Sequence, residues 1–494
     1  MAKQLTPSTL VDIATIVAVP KYDRADVRTG IAHFGVGNFH RSHQAMYVDA
    51  LMNQGLALDW GICGVGVMPF DLKMRDFMKS AQSGLYTLLL KHSDMTLEPR
   101  VVGSIHEYLY APDDPEAVVA KLASPDIRIA SLTVTEGGYN FDHVTGEFNL
   151  SNPGVVHDLS TSNEGPVTIF GLITEGLRRR WQSGLPPFTV MSCDNIQSNG
   201  NVARRSFLAF AEAKDPKLAQ WISDEVRFPN SMVDRITPVT TDHDRKMVIE
   251  KLGIIDAWPV VCEPFTQWVL EDHFSNGRPP WELAGVQLVD NVEPYELMKL
   301  RLLNCSHQAM AYFGYLSGHR FVHEAMKDPL IVELLRRYMN DEATPTLLPV
   351  VGIDLDKYKA TLLERFANPE IRDTLARLAA EASDRICGFL LPVVRKNLAN
   401  GGKVAIAAGV VASWARYAEG VDEQGQPYEV VDQLSTVLTA RAKTQGEHPL
   451  AFIENEELFG DLAKHPEFAI PYGETLAVLK RDGAQAALKA LLSS

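Results

Sequence analysis

Four polar side chains that could handle a proton are spaced along one predicted helix past the middle of the chain: Glu296, Lys299, Asn304 and His307. Wound at about 100° per residue, Lys299, Glu296 and His307 fall near ~0°, ~60° and ~80°, and Asn304 near ~140°. Leu303 shares this face, which indicates a partly dry cleft rather than a solvated stripe. A lysine beside an amide and an imidazole in such a cleft is a candidate proton acceptor, although a cap or a bridge to neighbours is the commoner role of any one such residue.

A glycine turn in the N-terminal part could hold the second reactant. Residues 30–34 form a short apolar strand that leads into Gly35 and Gly37, and residues 42–54 and 60–67 follow as a predicted helix and strand. Such a strand, turn, helix and strand can place a pyrophosphate on a helix N-terminus. The match to the dinucleotide fingerprint is incomplete, because His40 stands where the third glycine is expected.

The acid that would bind a ribose is less obvious in the sequence. Asp49 lies inside the predicted helix and Asp59 precedes the second strand, whereas Asp71 lies in the loop just after it. Asp71 is therefore the better candidate. Its charge would repel a 2′-phosphate, which favours NAD over NADP.

Further apolar strands are predicted at residues 101–105, 127–134 and 188–193. With helices between them they predict a mostly parallel α/β sheet covered on both faces, whose ligands collect at the carboxyl ends of the strands. Glu136 and Gly137 follow one strand and Asn195 another, although a tight turn with a surface acid explains the first pair equally well. Asp234 and Arg235 lie in a stretch predicted to be irregular, where pairing with each other is the simpler interpretation.

The pattern changes near residue 290, which predicts one domain over residues 1–290 and a mainly helical one over 291–494. The predicted helices of the second domain include residues 295–316, 329–339, 355–366, 371–382 and 403–417.

Composition narrows the class of protein. The 494 residues are 46% hydrophobic and 22% charged, as in globular proteins, and the net charge of −15 argues against nucleic acid or an anionic membrane as partner. The N-terminal residues lack an export signal and the apolar run 404–415 is too short to span a bilayer, which predicts a cytoplasmic protein. The five scattered cysteines and unclustered histidines predict neither disulfides nor a metal site.

Five motifs occur together in a fixed order: Gly35-Val-Gly37-Asn-Phe-His-Arg41, Thr135-Glu-Gly-Gly138, Ser192-Cys-Asp-Asn195, Met232-Val-Asp-Arg235 and Lys299-x4-Asn304-x2-His307. Nearly the whole chain resembles the polyol-specific long-chain dehydrogenase/reductase family. Arg385 and the residues before it follow that family's Gly-Ser-x-Lys segment only loosely.

The resemblance implies a Rossmann-type dinucleotide-binding domain followed by a mainly helical substrate domain. It implies zinc-independent, NAD-linked interconversion of a polyol and a ketose, typically D-mannitol and D-fructose, by an enzyme that is often monomeric. The residues expected to bind the cofactor are Gly35, Gly37, Asn38, Phe39, Arg41, Asp71, Glu136 and Gly137.

Carried over residue by residue, Lys299 resembles the general base, and Asn195 and Asn304 resemble the amides that hold the reacting oxygen. The other matching positions are substrate-orienting His307 and Asp234, the proton-exchanging Glu296, and Arg377 as a substrate contact. A free lysine titrates near pH ~10.4, so the role needs a dry cleft or a nearby positive charge that lowers its pKa.

Three alternatives remain open at this point. A fructuronate-type hexuronate reductase, or a dehydrogenase of arabinitol or sorbitol, would keep the same chemistry with another substrate. A catalytically silent NAD-binding sensor would lack the chemistry, and the intact lysine, amides and histidine argue against it.

Overall fold

The structure is a computed structural model that describes residues 2–141, 146–160 and 165–493. The chain divides into two compact units, Met1–Glu293 and Pro294–Ser494. Within the described residues no helix is both long and apolar enough to cross a membrane.

Most strands of the first unit are short and buried. Their bounds are β1 (Lys3–Gln4), β2 (Thr29–Phe34), β3 (Gly61–Gly66), β4 (Tyr86–Lys91), β5 (Leu97–Val102), β6 (Ile105–Tyr110), β7 (Ile129–Leu132), β8 (Thr189–Ser192), β9 (Ser231–Asp234), β10 (Ile254–Ile255), β11 (Val260–Cys262), β12 (Gln267–Glu271) and β13 (Gln287–Val289).

The main sheet has the strand order β6-β3-β2-β7-β8, and all neighbouring pairs in it are parallel. Counted along the chain within this sheet, the order is 3-2-1-4-5, which is that of a dinucleotide-binding fold. The chain reverses its direction of sheet growth between β2 and β7, and ligands bind in the crevice at such a point. The predicted α/β fold class is confirmed.

The core lies on both faces of this sheet. All six residues of β2 are buried, and its side chains alternate between two clusters, with Ile31 in one and Ala32 and Phe34 in the other. This burial on both faces is the reason that polar and apolar residues do not alternate along the strand, whose polar members Thr29 and His33 are buried as well. Two smaller mixed sheets, β11-β4-β5 and β13-β12-β9, and the pair β1-β10 complete the strands described for this unit.

The helices of the first unit cover the sheet. They are α1 (Leu10–Ile13), α2 (Asn38–Ser42), α3 (Gln44–Met52), α4 (Leu72–Met78), α5 (Pro115–Ala123), α6 (Pro153–Leu159), α7 (Ile169–Gln182), α8 (Asn199–Lys214), α9 (Pro216–Glu225) and α10 (Asp242–Leu252).

The second unit is helical, as predicted. Its helices are α11 (Glu293–Met298), α12 (Cys305–Leu316), α13 (Val322–Ala325), α14 (Pro329–Arg337), α15 (Leu355–Phe366), α16 (Leu375–Ala379), α17 (Ala382–Arg385), α18 (Leu391–Asn400), α19 (Ala405–Tyr417), α20 (Ser435–Thr444), α21 (Glu456–Phe459), α22 (Pro466–Asp482) and α23 (Ala484–Ser493). Helix α12 is its centre, because it contacts α14, α16, α19 and α23 and is buried along nearly all of its length.

Several sequence predictions of local structure were wrong. The strand expected at 101–105 is the end of β5 and the start of β6, with Gly103 and Ser104 between them. The helix expected from Ser42 begins at Asn38, directly after the glycine turn, and is interrupted at His43. The stretch containing Asp234 is not irregular at its start, because residues up to Asp234 form β9 and pair with β12.

The helix expected over 371–382 is reduced to α16. Thr374 adopts an extended conformation, pairs with Phe321 in an isolated bridge, and accepts the amide of Arg377 as an N-cap. The backbone is extended at the cap residue Thr374 and again at Ala380, which limits the helix to little more than one turn.

Candidate active site

The glycine turn lies at the carboxyl end of β2, at the crevice of the main sheet. Gly35 has a φ of +91°, and a Cβ there would lie 2.2 Å from the carbonyl oxygen of Thr133, so a side chain is excluded. Gly37 is extended and begins α2, in whose first turn Phe39 is half-buried. The first amides of this turn are therefore positioned to meet an anionic group, as the spacing of the glycines predicts.

Arg41 and Asn38 brace the turn through their side chains. The Arg41 guanidinium is fully buried and donates to the carbonyl oxygen of Trp258 at 2.7 Å and to Oδ1 of Asn38 at 2.7 Å. Asn38 in turn donates to the carbonyl oxygen of Pro238 at 2.9 Å. Burial lowers the pKa of Arg41 to about 10. The guanidinium thus has protein partners, and contact of this segment with a ligand would use the backbone amides.

A pair of stacked histidines fills the position of the missing third glycine. The rings of His33 and His40 have centroids 3.4 Å apart and an interplanar angle of 13°. His33 Nδ1 lies 2.8 Å from Ser131 Oγ, and its Nε2 lies 2.9 Å from Thr133 Oγ1. Burial lowers the pKa of His33 to about 3, so two neutral imidazoles pack together without charge repulsion.

Asp71 follows β3 and lies against Gly66, the last residue of that strand. Its Oδ2 accepts the backbone amides of Val67 and Met68, both at 2.9 Å. The carboxylate therefore shapes the loop at the carboxyl end of β3. Both bonds end on one oxygen, so Oδ1 can face a ligand.

The loop after β7 contains a strained residue next to two predicted site residues. Thr135 has φ 65° and ψ 170°, a region used almost only by glycine, and its branched side chain makes it a genuine outlier. Such a conformation costs on the order of 1–3 kcal/mol and is often found at ligand sites. Glu136 and Gly137 follow in an exposed 3₁₀ turn, at the edge of the sheet that also carries the glycine turn.

A buried carboxylate that sequence reasoning missed holds this loop. Asp194 follows β8 and accepts the amide of Thr135 at 2.8 Å, the amide of Val134 at 3.1 Å and the hydroxyl of Tyr139 at 2.6 Å. Burial raises the pKa of Asp194, and these three donors oppose that rise. The neighbouring Asn195, the predicted catalytic amide, is exposed at the same carboxyl end of β8. The only sequence signal for Asp194 was its place beside Asn195.

Asp234 ends β9, outside the main sheet, and is buried. Its neighbour Arg235 donates to the carbonyl oxygens of Glu263 and Ser42, at 3.1 and 2.7 Å. Both charges act on His43, whose pKa burial lowers to about 3.

In the second unit the predicted catalytic residues lie on one continuous helical run that is not a regular α-helix. Residues Lys299–Asn304 form a π-helix between α11 and α12. Hydrogen bonds in a π-helix join residues five apart, so Lys299 and Asn304 lie on adjacent turns of the same face. A regular α-helix would have separated them by about 140°. The helical geometry assumed from the sequence was therefore wrong, and the observed one brings the two residues together more closely.

This segment is buried. Lys299 is 5% exposed, Glu296 one turn earlier is 4% exposed, and His307 is 8% exposed. None of the described residues forms a hydrogen bond to Oδ1 of Asn304, although this atom has lost almost all contact with solvent. A buried amide oxygen of this kind is costly in a protein core and is expected where a ligand supplies the missing donor.

His307 and Arg377 are connected by a carboxylate that the sequence analysis also missed. Arg377 binds both oxygens of Asp373, one turn earlier, in a bidentate pair. Burial alone would raise the pKa of Asp373, but the hydrogen bonds and charge of Arg377, together with His307, hold it below its ordinary value. The His307 ring also packs on Phe366, with centroids 4.7 Å apart. The spacing of four between Asp373 and Arg377 was a usable signal, but it occurs on many helix surfaces.

Arg385 lies in the segment that follows the family's Gly-Ser-x-Lys pattern only loosely. Its Nη1 donates to the carbonyl oxygens of Arg377 and Leu378, both at 3.0 Å. It therefore closes the C-terminal end of α16 and holds the backbone beneath Arg377.

Both units match models of known protein domains. Residues 29–283 match the mannitol dehydrogenase Rossmann domain, and residues 291–477 match the mannitol dehydrogenase C-terminal domain. The chain belongs to the mannitol dehydrogenase family. This confirms the resemblance inferred from the five motifs.

Individual mannitol dehydrogenases are similar to this chain over most of its length. The mannitol 2-dehydrogenase of Aspergillus fumigatus is 46% identical to it over 457 residues, which are 92% of this chain and 91% of that protein. A mannitol dehydrogenase of Saccharomyces cerevisiae is 46% identical over 494 residues, with coverage of 99% and 98%.

Two solved polyol dehydrogenase structures are similar to the chain over nearly its whole length. The ternary complex of Pseudomonas fluorescens mannitol 2-dehydrogenase with NAD and D-mannitol matches with a TM-score of 0.91 and 47% identity, over 100% of both chains. A D-sorbitol dehydrogenase in substrate-free form matches with a TM-score of 0.88 and 37% identity, over 98% of this chain and 100% of that one.

Proposed function

We propose that this protein is an NAD-dependent polyol dehydrogenase that interconverts D-mannitol and D-fructose. The observation that carries the proposal is the full-length match, at 47% identity, to a mannitol 2-dehydrogenase solved with NAD and D-mannitol. The buried Lys299, paired with Asn304 by the π-helix, supports the same chemistry.

The residues at the crevice of the main sheet fit NAD. A Cβ at Gly37 would meet no atom closer than 3.9 Å, so there is room for a pyrophosphate beside the amides of Gly37 and Asn38. Asp71 lies at the end of the next strand, where a ribose is expected. Glu136 and Gly137 border the crevice on its other side. Bound NAD supplies the hydride acceptor for oxidation of the polyol.

The protein's own part of the reaction is to hold and move a proton. Lys299, which is 5% exposed, accepts the proton of the reacting hydroxyl, a role for which it must be a neutral amine. Asn195 and Asn304 hold the reacting oxygen as it gains negative charge. Glu296, one helical turn before Lys299, passes the proton towards solvent. In this proposal the amine of Lys299 is the general base, so proton transfer needs no metal-bound water.

A neutral substrate fits the charges of the second unit better than a uronate does. The guanidinium of Arg377 is already paired with both oxygens of Asp373. A substrate carboxylate would need a cation that is not neutralised in this way. His307 and Arg377, together with Asp234, are therefore proposed to orient neutral hydroxyl groups.

The proposal is tested by steady-state assays of D-mannitol, D-sorbitol, D-arabinitol and fructuronate with NAD(H), in the presence of excess EDTA. We expect D-mannitol to have the highest kcat/KM among the polyols, by about 10-fold or more, because one misplaced hydroxyl leaves a polar group of the site unpaired. Fructuronate reduction more efficient than D-fructose reduction would replace this assignment with a uronate reductase. Preference for D-sorbitol would retain the mechanism and change the substrate.

Asp71 is expected to set the preference for NAD. Asp71→Asn should raise kcat/KM for NADP relative to NAD by about 10-fold, because it removes one negative charge facing the 2′-phosphate. Asparagine keeps an oxygen for the amides of Val67 and Met68, so the loop is retained. Asp76→Asn is the matched control, since that carboxylate is exposed on α4 nearby. An unchanged ratio in Asp71→Asn would assign the discrimination to another residue.

A further inference from the structure

We propose that Asp194 is a positioning residue for the dinucleotide, acting by holding Thr135 in its strained conformation. The proposal rests on the proposed function only in taking NAD(H) as the ligand of the crevice. Asp194 and Thr135 follow the neighbouring parallel strands β8 and β7, so both lie at the ligand-binding edge of the sheet.

The contacts of the Asp194 carboxylate converge on the strained turn. Its two oxygens accept two consecutive amides, of Val134 and of Thr135 itself, so they hold the peptide that enters the strained residue and the peptide before it. Without these bonds Thr135 is expected to relax towards the extended region that β-branched residues prefer. The exposed Glu136 and Gly137 would then lose the orientation that they have beside the crevice.

The carboxylate itself is held rigidly. Tyr139 donates to it at 2.6 Å and lies 2.6 Å from Ser192 Oγ, while Nδ2 of Asn199 donates to the carbonyl oxygen of Asp194 at 2.9 Å. Tyr139 belongs to the same turn as Glu136, whereas Ser192 and Asn199 belong to β8 and α8, so the carboxylate is anchored to the sheet as well as to the loop. Such anchoring preorganises the loop for a ligand.

The same network reaches the glycine turn. Thr133 Oγ1 donates to the carbonyl oxygen of Gly35 at 2.8 Å, and its own amide donates to the carbonyl oxygen of Phe34 at 2.9 Å. The loops on the two sides of the crevice are thus joined at Thr133, two residues before the strained Thr135. A shift of one loop would be transmitted to the other.

The chain contains a matched control in Asp158. It too is 7% exposed and accepts two consecutive amides, of Val167 and Thr168, at 2.8 Å each, as well as the hydroxyl of Thr168 at 2.6 Å. Thr168 has an ordinary φ of −106° and is the N-cap of α7, while Asp158 itself lies in α6. His157 Nδ1 also lies 2.8 Å from the Asp158 carboxylate. Asp158 therefore holds two consecutive amides as Asp194 does, but without a strained residue.

The test compares wild type, Asp194→Asn, Thr135→Gly, the double variant and Asp158→Asn. The NADH dissociation constant is measured by fluorescence titration, and kcat and KM for NAD are measured by steady-state oxidation of D-mannitol.

We expect Asp194→Asn to raise the NADH dissociation constant and KM for NAD by about 10-fold, with kcat at saturation within about 3-fold of wild type. Glycine adopts the turn without strain, so the double variant should bind NADH within about 3-fold of wild type. Asp158→Asn should lower Tm without changing NADH affinity.

Two results would contradict the proposal: NADH affinity unchanged in Asp194→Asn, or a loss of affinity that persists undiminished in the double variant. If Asp194→Asn alone does not fold, recovery of a folded, NADH-binding double variant still supports the proposal, and failure of both to fold contradicts it. NADH binding is measured without a polyol. A protein that binds NADH normally but does not oxidise D-mannitol would refute the proposed substrate and leave this inference intact.

Discussion

Lys299→Ala is expected to lower kcat for D-mannitol oxidation by at least about 10²-fold while leaving the NADH dissociation constant within about 3-fold of wild type. The side chain is 5% exposed on a helix that carries the other candidate proton-handling groups. Removing a general base affects the transition state for proton transfer, whereas the predicted dinucleotide contacts lie in the other unit.

A base can be distinguished from a structural lysine by chemical rescue. Added methylamine should restore part of the turnover of Lys299→Ala, and Lys299→Arg should remain inactive because a guanidinium does not release its proton at neutral pH. Lys464→Ala, at a side chain that is 73% exposed in the same unit, is the control and should be unaffected. Full activity in Lys299→Ala would remove this residue from the mechanism.

Asn195→Ala and Asn304→Ala are each expected to lower kcat by about 10²–10³-fold, the usual loss when one donor to a developing oxyanion is removed. KM for D-mannitol should rise less, because the contact strengthens as charge develops on the oxygen. In this role Asn304 Nδ2 is the donor, while its buried Oδ1, which has no partner among the described residues, is placed to accept a hydroxyl group of the substrate.

Exposed asparagines provide the controls for these two variants. Asn201→Ala on α8 and Asn400→Ala at the end of α18 alter the same chemical group in the same two units, and both side chains are exposed. Equal and small effects of all four substitutions would mean that the reacting oxygen is held by other groups.

The main sheet could be predicted because burial on both faces leaves a direct record in the sequence. Strands such as β2 and β8 are buried throughout and appear in the sequence as mainly apolar runs without a charged residue, each followed by glycine or polar residues. The carboxyl ends of those runs carry Gly35, Glu136 and Asn195, so the topology alone collects them at one edge.

The parts that could not be predicted depend on single residues meeting across long stretches of chain. Asp194 is 59 residues from Thr135 in sequence, and nothing local marks Thr135 as a position with positive φ. The Arg41 guanidinium donates to the carbonyl oxygen of Trp258, 217 residues away. Composition and periodicity contain no information about such pairs.

The π-helix was missed for a different reason. Helical periodicity assigns every residue the same rotation. An extra residue within one turn only shifts the later apolar residues slightly from the spacing of a regular helix, so the pattern still predicts an α-helix. Two further π-helices, Tyr338–Ala343 and Ile386–Leu390, contact the segment and were missed in the same way.

The π-helix also determines which changes of length this unit can tolerate. It accommodates one residue more than a regular turn, so deleting a single residue between Leu300 and Leu303 would restore regular winding while α12 keeps nearly its present rotation relative to α11. Inserting a residue there would instead rotate α12 by about 100°, and the fully buried Tyr312 and Phe313 would point away from the neighbours that they now pack against. The helical run is therefore expected to tolerate the loss of one residue in length, whereas the gain of one would alter the active centre and the hydrophobic core together.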